Sequence, residues 1–234
     1  MTENLSATQI RRTSDYLGRI TPDNAAMLLI DYQTQLMLGC QSQDADTLKQ
    51  NTIAMARLAK IFDLPTVLTT TGGGSEGPAG PTLPELVEMF PEKDIVDRQL
   101  YFDSMADPEF RTAVEATGRD KLIIGGITTD LCVVFPALAA VKQGYDVYVV
   151  ADACASWNEE IDRNAIERIR QGGAIVTNIQ SLAAELQNNL AMQDENAAHE
   201  TQRDLLGFYN DFVGPTGLMN DLFFGDQNQD IEGI

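Results

Sequence analysis

The sequence predicts an α/β protein, a three-layer α/β/α sandwich in which helices cover both faces of a six-stranded, mainly parallel sheet. Six short apolar runs recur along the chain, and segments with apolar residues at helical spacing separate them. Several runs are apolar without interruption, as strands buried on both faces are. Strands that alternate with helices imply parallel pairing through right-handed crossovers, and 234 residues suffice for one such domain.

Three of the predicted strands end in residues that can carry chemistry. The first is a continuous apolar run that ends on the carboxylate of Asp31, the third ends in Arg98, and the fifth ends on Asp152. The six strands in order are 25–31, 64–70, 94–98, 122–124, 145–152 and 174–177. Because the carboxyl ends of parallel strands share one edge of a sheet, these side chains are expected at the same edge.

The predicted helices are defined by apolar spacing together with start and stop signals. Asp44 or Asp46 is available as N-cap of the first long helix, and Gly172-Gly173 stops a later amphipathic one. The helices cover 44–62, 84–90, 108–117, a segment that ends at Gly144, 159–171 and 181–190.

A glycine-rich loop, 71–81, follows the second strand and is predicted to be a mobile rim. Its glycines lack the spacing of a phosphate-binding loop, and no Lys-Ser or Lys-Thr pair ends it. The first strand is also not followed by Gly-x-Gly-x-x-Gly, which counts against a nucleotide-binding α/β protein.

The chain divides into three predicted regions. Residues 1–24 form a polar N-terminal arm, and 25–190 form the α/β domain. The extension 191–234 has nine acidic residues and one arginine, and it also contains two groups of large apolar residues. Such a segment is too apolar for a disordered acidic tail, so it is expected to pack on a neighbouring subunit of a homo-oligomer.

Composition excludes several classes of function. Sixteen basic and 35 acidic residues give a formal charge of −19, which argues against nucleic-acid and anionic-membrane partners. The three cysteines have no close pairing, and the first 25 residues lack a signal peptide's apolar core, so a reducing, cytoplasmic location is expected. No apolar run reaches the ~20 residues of a membrane span.

The thiol of Cys132 is the candidate nucleophile. The strand 122–124 meets Gly125-Gly126 and then a helix, and Cys132 lies in the first turn of that helix. Unpaired backbone N–H groups and the positive end of the helix dipole favour a thiolate there, together with an adjacent oxyanion. A cysteine between apolar neighbours is also, on residue type alone, often a small buried hydrophobe.

Asp31 and Arg98 are the candidate partners of that thiol. A carboxylate could take the thiol proton and pass it to a leaving amine, and a guanidinium could hold a thiolate or a substrate anion. Taken singly, Asp31 could be a cap or loop residue and Arg98 a surface ion pair. The one histidine, His199, lies in the extension, and no His or Cys cluster with metal-ligand spacing is present, so no metal site is predicted.

The segment around Cys132 resembles the nucleophile motif of the isochorismatase-like cysteine hydrolases. The motif is 125–133, Gly-Gly-Ile-Thr-Thr-Asp-Leu-Cys-Val, and the continuations 135–140 and 144–156 are similar to the YcaC-like branch of that family. The resemblance covers about residues 20 to 190. It also includes the aspartate after the first strand and a basic residue 34 positions before the cysteine.

The resemblance implies a three-layer α/β/α sandwich, usually oligomeric, with octamers among the possibilities, and a catalytic set of aspartate, lysine and cysteine. At the matching positions these are Asp31, Arg98 and Cys132. It further implies a cis peptide bond between Ile127 and Thr128, so that the backbone N–H groups of Thr128 and Cys132 form an oxyanion hole. Such a bond costs ~3–4 kcal/mol in a non-proline residue and is retained for function.

Two departures from the family pattern narrow what the resemblance implies. Arg98 stands where most members have lysine. Because arginine retains its proton, the expected role of Arg98 is electrostatic support and not proton transfer. The Asp-x-His metal signature of the nicotinamidase branch is missing, so no metal cofactor is expected and nicotinamide hydrolysis is not implied.

The predicted function is hydrolysis of a C–N bond, of the amide type, in a small molecule through a thioester on Cys132, without a cofactor. Four aromatic residues near strand ends or helix starts are candidates to line the substrate pocket or to pack in the core: Tyr32, Phe102, Phe135 and Trp157. The alternative is a catalytically silent small-molecule-binding or scaffold oligomer of the same fold. Two features favour that alternative: arginine stands at position 98 where the family has lysine, and the C-terminal extension is apolar.

Overall fold

The computed structural model describes residues 18–90, 95–98, 101–188 and 198–214. Its strands are β1 (Ala25–Ile30), β2 (Thr66–Thr71), β3 (Val96–Arg98), β4 (Lys121–Ile127), β5 (Asp146–Ala155) and β6 (Ile175–Thr177). The α-helices of the described residues are α1 (Thr34–Gly39), α2 (Ala45–Ile61), α3 (Pro84–Met89), α4 (Pro108–Ala116), α5 (Val134–Gln143), α6 (Glu159–Gln171), α7 (Ile179–Gln187) and α8 (Ala198–Phe212). The six strands and the alternation with helices confirm the predicted α/β class.

The sheet has the order β3-β2-β1-β4-β5-β6, and all of its ladders are parallel. β1 pairs with β2 on one side and with β4 on the other, so the winding direction changes between β1 and β4. A crevice forms at the carboxyl ends of the strands where an open α/β sheet reverses its order. Asp31 and Cys132 follow the two strands at that point.

Alternate residues of β1 contribute to two separate cores, which explains its unbroken apolar sequence. Met27 and Leu29 pack on one side with residues of α2, α7 and α8. Leu28 and Ile30 pack on the other with residues of α4, α5 and α6. Each such side chain contributes about 1.5–3 kcal/mol through burial, and the two helix layers confirm the sandwich.

Local signals place most element boundaries where the sequence predicts them. Asp44 caps α2 by accepting a hydrogen bond from the Thr47 N–H at 2.9 Å, and Gly144 ends α5 with a φ of 100°. The short helix α1 is not predicted from sequence, because none of its six residues is buried and no apolar stripe marks it. Within the described ranges, no helix has the length and apolar character needed to cross a bilayer.

Part of the C-terminal extension folds onto its own chain. Helix α8 packs on α2, where Leu205 and Phe208 are buried, and Arg57 of α2 pairs with Asp211 at 2.5 Å. Within the chain, α2 offers the apolar surface that covers Leu205 and Phe208, and packing of the extension on a neighbouring subunit stays a prediction. The second apolar group of the extension, which begins at Leu218, lies outside the described residues.

The last residues of the predicted N-terminal arm also join the domain. Ile20 is fully buried in the core and its N–H donates to Glu185 Oε1 at 2.9 Å. The first 17 residues of the predicted arm lie outside the described part of the chain.

Candidate active site

Asp31, Arg98 and Cys132 come together at the carboxyl ends of β1, β3 and β4. Asp31 is the first residue after β1, Arg98 is the last residue of β3, and Cys132 lies in the turn that follows β4. Asp31 has a φ of 54°, in the left-handed region, which aspartate tolerates better than most residues. The parallel sheet thus places three side chains that are distant in sequence at one edge.

The carboxylate of Asp31 is held by two partners. Oδ2 pairs with Arg98 Nη2, and Oδ1 accepts a hydrogen bond from Thr69 Oγ1 at 2.6 Å. Arg98 also donates through Nη1 to the carbonyl oxygen of Tyr101. Asp31 is 0% and Arg98 3% exposed, so the Asp31–Arg98 pair is a buried ion pair and not the surface pair considered from the sequence.

The thiol of Cys132 contacts the same carboxylate. Burial, the negative charge of Asp31 and a hydrogen bond to it raise the pKa of Cys132 to about 12. The positive charge of Arg98 and a hydrogen bond with the backbone of Thr128 act in the opposite direction. The expectation that a helix N-terminus favours the thiolate is therefore wrong, because burial and the neighbouring carboxylate dominate.

Cys132 lies in a π-helical turn, Thr129–Val133, that separates β4 from α5. The peptide bond between Ile127 and Thr128 is cis, and the Thr128 carbonyl accepts hydrogen bonds from the N–H groups of Leu131 and Val133, both at 3.2 Å. Gly126 lets β4 approach β1, since a Cβ atom there would lie 2.6 Å from the Ile30 carbonyl oxygen. This path brings the backbone of Thr128 beside the sulfur.

Two hydrogen bonds fix that turn to the elements behind it. Thr129 Oγ1 donates to Asp162 at 2.5 Å, and Ser156 Oγ donates to Asp130 at 3.0 Å. Burial raises the pKa of Asp162 above its ordinary value. The sequence predicts no role for any of these four side chains, because their hydrogen bonds form only where β5 and α6 meet the turn.

A cavity of about 430 Å³ opens beside the thiol. It is lined by Leu36, Thr71, Gly72, Pro78, Ala79, Arg98, Tyr101, Phe102, Thr128, Leu131, Cys132 and Trp157. Phe102 and Trp157 therefore lie where the sequence predicts pocket residues. Asp31 contacts the thiol from behind the wall, as it is fully buried and does not line the cavity.

Tyr32 and Phe135 do not line this cavity, and their assignment to the pocket is wrong. Tyr32 points into the core beneath the sheet edge, where its hydroxyl donates to the Ala153 carbonyl oxygen at 2.5 Å. Phe135 faces helix α6, and the guanidinium of Arg168 lies 5.1 Å from its ring centroid. Both residues follow the sheet edge in sequence, but their side chains leave it in other directions.

The glycine-rich loop after β2 forms one wall of the cavity and is held by Gln33. The Gln33 side chain donates to the carbonyl oxygens of Thr71 and Gly80, at 3.2 and 2.6 Å, and accepts from the Thr71 N–H at 2.8 Å. Gln33 is fully buried. The sequence identifies this loop as a rim, but it contains no signal for the glutamine that anchors it.

The remaining cysteines have no place in this site. Cys40 and Cys154 are buried and free, and burial raises the pKa of each above its ordinary value. Among the described residues, no group of three or more His, Cys, Asp or Glu side chains could hold a metal ion.

Comparison with known proteins places this chain in a family. The model of the isochorismatase domain matches residues 25–181. A probable hydrolase, YcaC of Escherichia coli strain K12, is 40% identical over 168 residues, which are 72% of this chain and 80% of the relative.

Two solved structures share the fold of this chain and are identical to it at about a third of the aligned residues. YcaC from Pseudomonas aeruginosa, solved with hexane-2,5-diol and covalent acrylamide, has a TM-score of 0.80 and 33% identity, covering 88% of this chain and 96% of the other. The YcaC gene product of Escherichia coli, described as an octameric hydrolase of unknown specificity, has a TM-score of 0.79 and 34% identity, covering 87% and 96%. The chain belongs to the isochorismatase family, and within it to the YcaC-like branch.

Proposed function

We propose that this protein is a cysteine-dependent hydrolase that cleaves the C–N bond of a small amide through a thioester on Cys132. The observation that carries the proposal is the contact between the Cys132 thiol and the Asp31 carboxylate at the wall of a cavity. A thiol beside a carboxylate is a nucleophile beside a base, as covalent catalysis requires. Membership of the isochorismatase family and the hydrolase relatives support the reaction class.

In the first half of the proposed reaction, Asp31 accepts the thiol proton while the sulfur attacks the substrate carbonyl carbon. The backbone N–H groups of Thr128 and Cys132 donate to the carbonyl oxygen as negative charge develops on it. When the C–N bond breaks, Asp31 returns the proton to the departing nitrogen, which leaves as ammonia or an amine. The acyl group remains on Cys132 as a thioester.

In the second half, a water molecule attacks the thioester carbonyl carbon. Asp31 accepts a proton from the water and delivers it to the sulfur as the C–S bond breaks. A carboxylic acid is released, and the Cys132 thiol and the Asp31 carboxylate are restored. Arg98 keeps its proton throughout and holds the carboxylate in position by the ion pair.

The raised pKa of Cys132 fits a nucleophile that is activated only when substrate is present. With a pKa of about 12 the resting sulfur is a neutral thiol, so its proton moves to Asp31 as the S–C bond forms. The covalent acrylamide of the Pseudomonas relative, an electrophile that alkylates nucleophilic side chains, supports a reactive nucleophile in this branch of the family.

Intact-mass spectrometry after incubation with a panel of amides and nitriles tests this mechanism. A mass increase that matches the acyl group, lost in Cys132→Ala and kept in the matched control Cys40→Ala, is the expected result. Alkylation of Cys132 by iodoacetamide should also abolish turnover. Full activity in Cys132→Ser would reject the mechanism.

A catalytically silent binding or scaffold oligomer is the second candidate. The arginine at the position where the family has lysine, together with the apolar C-terminal extension, favours it. This candidate predicts no covalent adduct with any acyl donor in the same mass experiment, although ligands would still bind the cavity.

We also propose that the chain forms a homo-oligomer in the cytoplasm. The octameric Escherichia coli relative supports the assembly, as do the exposed apolar side chains of Leu38 and Phe102, 82% and 61% exposed. The three free cysteines suit a reducing compartment. Light scattering coupled to size-exclusion chromatography gives the mass of the assembly, and a monomer would contradict the proposal.

A further inference from the structure

The cavity beside Cys132 offers no free charge to a ligand. Of the lining side chains that the structure describes, Arg98 is the one that is charged at neutral pH. Its charge is already paired with Asp31 and its Nη1 donates to the Tyr101 carbonyl, while its Nε is buried without a hydrogen-bond partner in the described ranges. A carboxylate placed in the cavity would lose its hydration without gaining a free cation, at a substantial cost. The overall charge of −19 repels anions as well.

The walls of the cavity suit an apolar group. Leu36, Pro78, Ala79 and Leu131 line it, and the aromatic side chains of Phe102 and Trp157 lie at its opening. A volume of about 430 Å³ is near the lower end of the range for small-molecule pockets. A ligand of this size with an apolar body would gain free energy from leaving water.

Two side chains in the wall have a buried hydrogen-bonding atom without a partner among the described residues, Arg98 at Nε and Thr128 at Oγ1, and the Thr128 hydroxyl is the uncharged one. Thr128 is 2% exposed, and in the described part of the structure its Oγ1 atom is buried and makes no hydrogen bond. Buried hydroxyl groups in native proteins nearly always have partners, so an orphan in a cavity wall points to a ligand that supplies one. Thr128 also provides one of the two proposed oxyanion N–H donors, so its hydroxyl belongs to a residue that binds the reacting carbonyl group.

We infer that the cavity selects an uncharged carboxamide with an apolar acyl group, and that Thr128 Oγ1 accepts a hydrogen bond from the amide nitrogen. The inference rests on the proposed amide hydrolysis and adds the substrate class and a residue that determines specificity. An amide carries both an acceptor for the oxyanion donors and a donor for the hydroxyl. An ester has the acceptor alone, and a carboxylate brings a charge.

Binding to the inactive variant Cys132→Ala tests the inference independently of turnover. Trp157 is the chain's one tryptophan and lines the cavity, so its fluorescence reports occupancy. Hexanamide should bind roughly tenfold or more tightly than hexanoate, and more tightly than acetamide. Equal or tighter binding of hexanoate, or no binding of any amide, would overturn the inference.

A second comparison isolates the hydroxyl of Thr128. In the Cys132→Ala background, Thr128→Val should weaken hexanamide binding roughly tenfold and leave methyl hexanoate unchanged, and Thr128→Ser should restore the amide preference. An equal loss for amide and ester would show a change of cavity shape and would overturn the role of the hydroxyl. If the amides bind as expected but the wild-type enzyme never forms an adduct, the proposed hydrolysis fails while the binding preference stands.

Discussion

Asp31 and Arg98, which are 67 residues apart in the chain, form an ion pair whose side chains are 0% and 1% exposed. A buried charge that loses its partner destabilises a protein by about 3–5 kcal/mol. We therefore expect Arg98→Met to lower the free energy of unfolding by about that amount. Arg98→Lys, which keeps a positive charge, should lose less.

Denaturant unfolding measures this effect, and Arg111→Met is a suitable control, because the Arg111 side chain is 43% exposed and only loosely paired with Glu115 at 4.0 Å. The control should change the free energy of unfolding by less than about 1 kcal/mol. Arg98→Met and Arg111→Met of equal stability would contradict a buried pair.

Asp31→Asn should make Cys132 more reactive toward iodoacetamide while it abolishes hydrolysis. After burial, the negative charge of Asp31 is the largest cause of the raised thiol pKa. Removing that charge lowers the pKa and increases the thiolate fraction at mildly alkaline pH, so alkylation accelerates. Turnover is lost because the amide side chain cannot accept the thiol proton.

Peptide mass mapping gives the rate at each cysteine, with Cys40 and Cys154 as internal references that the substitution should leave unchanged. Slower alkylation of Cys132 in Asp31→Asn would indicate that the carboxylate does not hold the thiol pKa up. The mechanism would then need another proton acceptor.

The fold and the meeting of Asp31, Arg98 and Cys132 are predictable because they depend on patterns that are local in sequence. Continuous apolar runs give buried parallel strands, and the residue after each such strand must lie at the carboxyl edge. Predicting that these residues meet requires only the position of each one relative to the end of its strand.

The direction of a side chain beyond the strand end is not predictable in this way. Tyr32 follows Asp31 directly, yet its ring lies in the core and its hydroxyl reaches Ala153 on β5. The protonation state of the thiol is not predictable from the sequence either, since the helix N-terminus is visible there but the degree of burial is not. Long-range packing determines both properties.

Gly39→Ala should displace Trp157 from the cavity wall. A Cβ atom at position 39 would lie 2.4 Å from Cζ3 of the indole ring, much closer than any real contact. The ring must then move outward, and we expect a red shift of its emission. Gly207→Ala is the control, since the nearest atom to a Cβ there is 4.0 Å away. Identical spectra for both variants would contradict the contact.

Helix α8 should contribute to the stability of the domain. Phe208 is fully buried, whereas its neighbour Leu206 is 48% exposed. Phe208→Ala is expected to reduce the free energy of unfolding by about 3–5 kcal/mol, and Leu206→Ala by less than about 1 kcal/mol. Chemical denaturation compares the two. Equally small effects would show that α8 does not pack on α2 in solution.

Asp162, which accepts a hydrogen bond from Thr129 behind the turn that carries Cys132, should make stability depend on pH. Burial raises the pKa of this carboxyl above its ordinary value of 3.8. A raised carboxyl pKa means that the folded state binds the proton more tightly than the unfolded state. The stabilisation is therefore complete below the ordinary value and is lost as pH rises through the raised one.

Asp162→Asn removes this titration but keeps an oxygen that accepts from Thr129. The wild type should therefore gain stability relative to Asp162→Asn as pH is lowered from neutrality towards the ordinary value of 3.8. Thermal unfolding of both proteins across this range measures the difference, in which the other carboxyl groups cancel. A difference that moves in the opposite direction would mean that hydrogen bonding to Asp162, which lowers its pKa and includes the bond from Thr129, outweighs its burial.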